Sequence, residues 1–296
     1  MSFMDTVTEC RIEVNGISLC YFEWGAEYRD KGLTLLFTHA NGFHARIWDP
    51  VVRGLKGNHI IAVDLRGHGR SEETPLDHWN VFGEDLCSLI TRLDLERIIG
   101  IGHSMGGHAL TEAAARHENR FEQLILIDPA IIAPDLYHEP LSSEETRSQE
   151  LHPAAKRKGY FDSPQAMIDR FKDRKPYSQF TTESLHNYCK YGLIKDGGGY
   201  RLACSPLTEA NVYMASKSNG KVFDSIRKLE LPVLVIRAQE PTEDNPVQNY
   251  SASPTWVQLV NEFRRGTEIH YPQQSHFLPM EIPDEISARI AEVIQP

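Results

Sequence analysis

The sequence holds few cysteines: Cys10, Cys20, Cys87, Cys189 and Cys204, an odd number among 296 residues, scattered and without CxxC or zinc-type spacing. That excludes a disulfide framework, suits a reducing compartment, and leaves the thiols as small buried hydrophobes without chemistry. No apolar run is long enough to span a bilayer, and the opening MSFMDTVTECRIEV has no basic segment followed by an apolar core. The chain therefore reads as cytoplasmic, with no membrane partner. Basic charge is in deficit, with 31 Lys and Arg against 41 Asp and Glu for a net charge of -10. This disfavours nucleic acid or an anionic membrane as partner. No HExxH, HxxxH or Cys/His cluster stands at ligand spacing, so no metal and no cofactor is expected.

What is present is the composition of an ordinary globular enzyme, 41% hydrophobic and 24% charged. A chain of this length forms one large domain or a domain with an insertion. Near the start, CRIEVNGISLCYFEWG alternates apolar and polar residues around Asn15-Gly16, a hairpin signal. The apolar runs LTLLFTH (33–39), HIIAVDL (59–65), RIIGIGH (97–103) and LILIDP (124–129) follow, separated by helical patterns such as FGEDLCSLITRL. Such alternation predicts an α/β fold, a mostly parallel central sheet with helices on both faces.

The alternation stops after Asp128 and resumes at LPVLVIRA (231–238), TEIHYP (267–272) and a last helix, DEISARIAEVI. Between them lie the helical patterns SPQAMIDRFKDR and TTESLHNYCKYGL and a DGGG turn at 196–199, with no strong strand run. The organisation predicted is a core of residues 1–130 and 221–296 and a helical cap inserted at 131–220, over the strand ends where open sheets bind ligands. The basic stretch 156–175 reads as the solvated face of a cap helix, with attraction of an anionic substrate or a protein partner as the alternative.

Gly102-His103-Ser104-Met105-Gly106 fits G-x-S-x-G between a predicted strand and a predicted helix. The two glycines are needed because the turn is too sharp for side chains beside the neighbouring strand and helix, and the helix N-terminus beyond is suited to a developing oxyanion. With these motifs the chain resembles the α/β-hydrolase superfamily along nearly its whole length, least in the cap. The resemblance implies that fold, a serine nucleophile at Ser104, and an acyl-enzyme.

It also assigns the loop His39-Ala40-Asn41-Gly42-Phe43, similar to a His-Gly-x-Pro loop though Ala40 and Gly42 depart from it. By position the backbone N–H groups of Asn41 and Met105 would form the oxyanion hole, and the Asn41 amide would be free to touch substrate. His39 is expected to fix the loop through backbone hydrogen bonds, and VDLRGHGRS (63–71) to brace it. His276, in YPQQSHFLPMEIP, resembles the family's His-Phe-x-x-x-Glu segment and is the expected base, since a serine needs a positioned imidazole to become nucleophilic. The side chain of His103 is expected to point away from the nucleophile.

The acid is less direct. Most relatives carry it in a Gly-x-x-Asp pattern after the strand matched by VLVIR, and here Ala238 and Pro241 occupy the glycine and aspartate places. Asp128, one strand earlier as in certain lipases and a lactone-hydrolase branch, is favoured, because it leaves a strand tip beside the elbow without a register shift. Glu240, Glu243 and Asp244 remain the alternatives, in a loop expected otherwise to shape the pocket. The expected function is a cofactor-free serine hydrolase of a small or medium ester, thioester or lactone. A carbon–carbon bond hydrolase, an acyltransferase with the same triad, or a non-catalytic receptor on this fold are the other readings. Substrate and oligomeric state are not legible.

Overall fold

A computed structural model describes residues 3–74, 76–138, 152–243 and 251–294. Thr8–Val14 (β1) and Ile17–Trp24 (β2) form the antiparallel hairpin, with Asn15 and Gly16 at φ 44° and 78°. These are the left-handed values that a two-residue turn between twisted strands requires. The sheet continues through Thr34–Thr38 (β3), His59–Asp64 (β4), Ile98–His103 (β5) and Phe121–Ile127 (β6).

The spatial order is β1-β2-β4-β3-β5-β6, then Val233–Arg237 (β10) and Gly266–His270 (β11), with three short strands between β6 and β10 forming a separate small sheet. From β4 to β11 every neighbour pair is parallel. The inner strands are buried on both faces, while the edge strand β11 has no buried residue: Leu124, Leu126, Val233 and Val235 enter one apolar layer, and Ile125, Ile127, Leu234 and Ile236 the other.

Helices Asn80–Arg92 (α1) and Met105–Arg116 (α2) cover the first layer through Phe82, Leu86, Leu89, Ala109, Leu110 and Ala113. The final helix, Pro283–Ile294 (α7, counting the four introduced next), seals the second through Ile286 and Ile290. Between β6 and β10 run Pro164–Phe171 (α3), Thr182–Tyr191 (α4), Pro206–Met214 (α5) and Val222–Lys228 (α6), the last returning to the core with Val222, Phe223 and Ile226.

The same segment contains strands that the sequence did not announce. Tyr160–Phe161 (β7), Leu193–Asp196 (β8) and Gly199–Leu202 (β9) pair antiparallel in the order β7-β9-β8. At two, four and four residues they are too short to display an alternating pattern, and the glycine turn at 197–198 that joins β8 to β9 was the visible part.

The inserted segment is stitched to the core over the C-terminal ends of the strands. Asn41 Nδ2 donates to the Glu209 carbonyl at 3.0 Å, Trp79 Nε1 to that of Val212 at 2.8 Å, and Arg70 Nη1 to that of Tyr191 at 2.7 Å. Among the described residues no helix is long and apolar enough to cross a membrane.

Candidate active site

Strand β5 ends in the elbow predicted from its glycines. Ser104 adopts φ 54°, ψ -119°, a costly conformation for a residue with a Cβ, held by its N–H donating to the Ile127 carbonyl at 3.1 Å. A Cβ at Gly102 would stand 2.7 Å from the Gly106 carbonyl group, and one at Gly106 2.5 Å from the Thr38 carbonyl oxygen, so neither place admits a side chain. The hydroxyl is thereby presented beside the first turn of α2.

His276, in the loop after β11, lies with Nε2 3.0 Å from Ser104 Oγ and Nδ1 2.6 Å from Asp128 Oδ2. A carboxylate only accepts, so Nδ1 carries the proton and Nε2 presents its lone pair to the serine hydroxyl. The loop is anchored on both sides. The His276 N–H donates to the Ser251 carbonyl at 2.7 Å, and Ser275, held by Glu281, accepts the Phe277 N–H at 3.2 Å. Burial raises the Glu281 carboxyl above its ordinary value despite its bonds to Ser275.

Asp128 is fully buried at the tip of β6, at φ 44°, a second strained backbone position directly in the site. Its Oδ1 accepts the Ala238 N–H at 2.9 Å and the Ser253 hydroxyl at 2.6 Å. The Thr255 hydroxyl is 3.3 Å from the same oxygen and nearer, at 2.8 Å, to the Pro129 carbonyl. One carboxylate oxygen is thus saturated by fixed donors while the other faces the imidazole.

The alternative acids lie elsewhere. Glu240 is exposed and accepts from Arg237 Nη1 at 2.9 Å, Glu243 is exposed, and Asp244 lies outside the described residues. The described part of that loop supports its neighbours: Gln239 donates its N–H to the Gln274 carbonyl, and its own carbonyl accepts the Ser253 N–H, each at 2.9 Å.

Met105 is the first residue of α2, and its N–H, in the first helical turn, has no intrahelical acceptor. The Asn41 side chain is committed: beyond its bond to Glu209, its Oδ1 lies 3.0 Å from His68 Nε2. The expected amide contact to substrate is therefore corrected to a structural one, which leaves only the backbone N–H of Asn41 for an oxyanion. His39 accepts the Leu65 N–H at Nε2, 3.0 Å, and donates from Nδ1 to the Ala40 carbonyl at 2.8 Å. Asp64 accepts the N–H groups of Ala45 at 2.6 Å and Arg70 at 2.8 Å, tying the chain just after the 39–43 loop to 63–71. Burial raises the Asp64 carboxyl to about 6.

Two features escaped the sequence. The Ser253 and Thr255 donors sit in an irregular segment with no motif. His103 does more than turn aside: its Nε2 donates to the His276 carbonyl at 2.8 Å, and the two rings lie 4.9 Å apart. Burial holds His103 well below the ordinary imidazole range, so it stays neutral. Among the described residues there is no group of three or more His, Cys, Asp or Glu able to hold a metal ion.

Comparison with known proteins agrees with this architecture. A family model described as "Alpha/beta hydrolase family" matches residues 35–289. The chain is 28% identical to a non-heme chloroperoxidase of Streptomyces lividans over 87% of its length and 88% of the relative's. It is 23% identical to a bifunctional esterase/perhydrolase of Acinetobacter calcoaceticus, over 90% and 91%. The solved structure of E-2-(acetamidomethylene)succinate hydrolase superposes with a TM-score of 0.75 at 21% identity, covering 97% of this chain and 98% of that one.

Proposed function

This chain is a member of the alpha/beta hydrolase family, and we propose that within it the protein is a cofactor-free serine hydrolase that cleaves a small or medium ester, thioester or lactone through an acyl-enzyme. The observation that carries the reading is the unbroken hydrogen-bond chain from Ser104 Oγ through both nitrogens of His276 to the buried Asp128 carboxylate.

In this reading Ser104 Oγ attacks the acyl carbon as His276 Nε2 takes its proton. Asp128 holds the productive tautomer and stabilises the imidazolium. The N–H groups of Met105 and Asn41 receive the oxyanion, fixed in place before the reaction and so requiring no reorganisation. His276 then protonates the leaving group, and a water deprotonated by the same nitrogen releases the acid. Each proton taken from an attacking oxygen is returned to the departing oxygen or, in a thioester, sulfur, so the proton transfers balance on His276.

A second reading uses the same acyl-enzyme. If hydrogen peroxide replaces water as acceptor, the product is a peracid, and the similarity to a bifunctional esterase/perhydrolase favours this as a side activity. The test is a panel of p-nitrophenyl esters and lactones graded by acyl length, with and without peroxide, alongside a fluorophosphonate probe read by peptide mass spectrometry. Hydrolysis with one adduct, on Ser104, supports the proposal. No hydrolysis and no adduct would favour a receptor instead.

A further inference from the structure

The inserted segment places a cation beside the oxyanion loop and fills it with an acid of the same chain. Arg157 Nη1 donates to Glu209 Oε2, and Nη2 donates to the hydroxyls of Tyr188 at 2.8 Å and Tyr177 at 3.2 Å. The Arg157 side chain keeps 22% of its exposure and that of Glu209 only 7%, so the more buried charge is the carboxylate. Glu209 lies directly against the loop: a Cβ on Gly42 would fall 3.0 Å from its Cδ and Oε1, and its carbonyl holds the Asn41 amide. Beside the loop is a cavity of about 10 Å³ lined by Gly42, Phe43, Arg157, Met167 and Tyr188, room for at most one water, so a further carboxylate finds space at Arg157 only where the Glu209 side chain is shortened.

A guanidinium flanked by two phenolic hydroxyls is a donor set that receives a planar carboxylate. Here that carboxylate is Glu209, and the pair is neutral. A substrate bringing a second carboxylate would set two like charges on one guanidinium in partly desolvated surroundings, where such juxtaposition is strongly disfavoured. An uncharged acyl chain meets no such repulsion.

Resting on the serine-hydrolase reading above, we propose that Arg157, Tyr177 and Tyr188 form an anion seat which Glu209 occupies, and that this makes the enzyme select uncharged acyl groups over carboxylate-bearing ones. Glu209 is thus the specificity-determining residue. Its removal converts the seat into a recognition site for a substrate carboxylate. If the ion pair only fastened α5 to the segment before β7, its loss would slow neutral and anionic substrates alike.

The experiment compares kcat/KM for p-nitrophenyl hexanoate and for the mono-p-nitrophenyl ester of adipic acid, which has the same chain length and a terminal carboxylate. Wild type is expected to favour the hexanoate by roughly tenfold or more, the scale of one hydrogen bond to a charged group. Glu209→Ala, which empties the seat, shifts the ratio toward the adipate ester by a similar factor, through KM, and the double variant Arg157→Gln, Glu209→Ala cancels that shift. A wild type that already prefers the adipate ester, an equal change on both substrates in Glu209→Ala, or a shift that survives in the double variant overturns the seat. Should Glu209→Ala not fold, Glu209→Ser and the wild-type preference carry the same decision. Fluorophosphonate labelling is run in parallel. Labelled Ser104 with an unmoved ratio sinks the seat alone, whereas no adduct on the wild type sinks the hydrolase reading and the seat with it.

Discussion

The backbone N–H of Ala238, the first residue after β10, donates to Oδ1 of Asp128, one strand away at the tip of β6. Ala238 stands where the family resemblance puts the first residue of a Gly-x-x-Asp acid pattern, and in this chain that strand end serves as a hydrogen-bond donor to a carboxylate supplied by its neighbour. The shift is one strand spacing, about 4.8 Å, within reach of a histidine on a loop.

Asp128→Asn is expected to keep the fold and lower kcat by roughly 10² to 10⁴-fold, because an amide supports the wrong tautomer and cannot stabilise imidazolium. Glu240→Gln and Glu243→Gln, both at exposed positions, should stay within about threefold. Steady-state kinetics on one ester decides. Collapse in either glutamate variant with Asp128→Asn near wild type would move the acid to the loop after β10.

Ser253→Ala removes one of the donors that saturate Asp128 Oδ1. The carboxylate loses a fixed orientation, so kcat should fall roughly tenfold with KM little changed, and stability should fall by about 1–3 kcal/mol. Kinetics paired with urea unfolding separates the two effects. Lost stability with unchanged kcat would make Ser253 a packing residue only.

His103→Phe keeps the aromatic volume beside the His276 ring while deleting the bond to its carbonyl. Turnover should drop by roughly tenfold, the scale of one lost buried bond, and His103→Gln, which can still donate, should recover part of it. Equal activity in all three proteins would show that the loop is positioned without this bond.

Stability should fall as the solution is acidified from neutrality. Burial lowers His68 and His108 to about 4 and His44 to about 3. Unfolded, these imidazoles take up protons near 6.5, so between about 6.5 and 4 the unfolded chain binds more protons and folding loses ground. Asp49, Glu209 and Glu281, whose carboxyls burial raises, run the other way, and so does Asp64. Its folded pKa of about 6 exceeds the ordinary 3.8, so its contribution is present below 3.8 and is lost as pH rises through 6. With His39, His103 and His152 also lowered by burial, six imidazoles outnumber these four carboxyls among the described residues, and urea midpoints at pH 7.5, 6 and 5 should decline in that order. His108→Gln should reduce the proton uptake on unfolding at pH 5 by about one. A flat profile would show these rings to be accessible to protons in the folded state.

The parts legible in the sequence are those whose demands are local. Asn15-Gly16 specifies a turn by backbone conformation alone, Gly102 and Gly106 by the volume a side chain would need, and the parallel strands by runs buried on both faces. What was not legible arises only when distant segments meet. Ser253 reaches Asp128 across 125 residues, and Arg157, which looks in sequence like part of a solvated basic face, finds Glu209 52 residues further on. The three short strands of the inserted sheet depend on one another for pairing, and none carries enough residues to show a period.

The central claim is covalent: the acyl group passes through Ser104. The direct measurement is intact-protein mass spectrometry on samples quenched within milliseconds of mixing with an activated p-nitrophenyl ester, followed by peptide mapping. The account predicts a transient gain of one acyl mass on the peptide carrying Ser104, formed in a burst with p-nitrophenol and absent from Ser104→Ala, whose turnover falls by on the order of 10³-fold or more. Undiminished turnover by Ser104→Ala, or an acyl adduct on another residue in wild type, would contradict it.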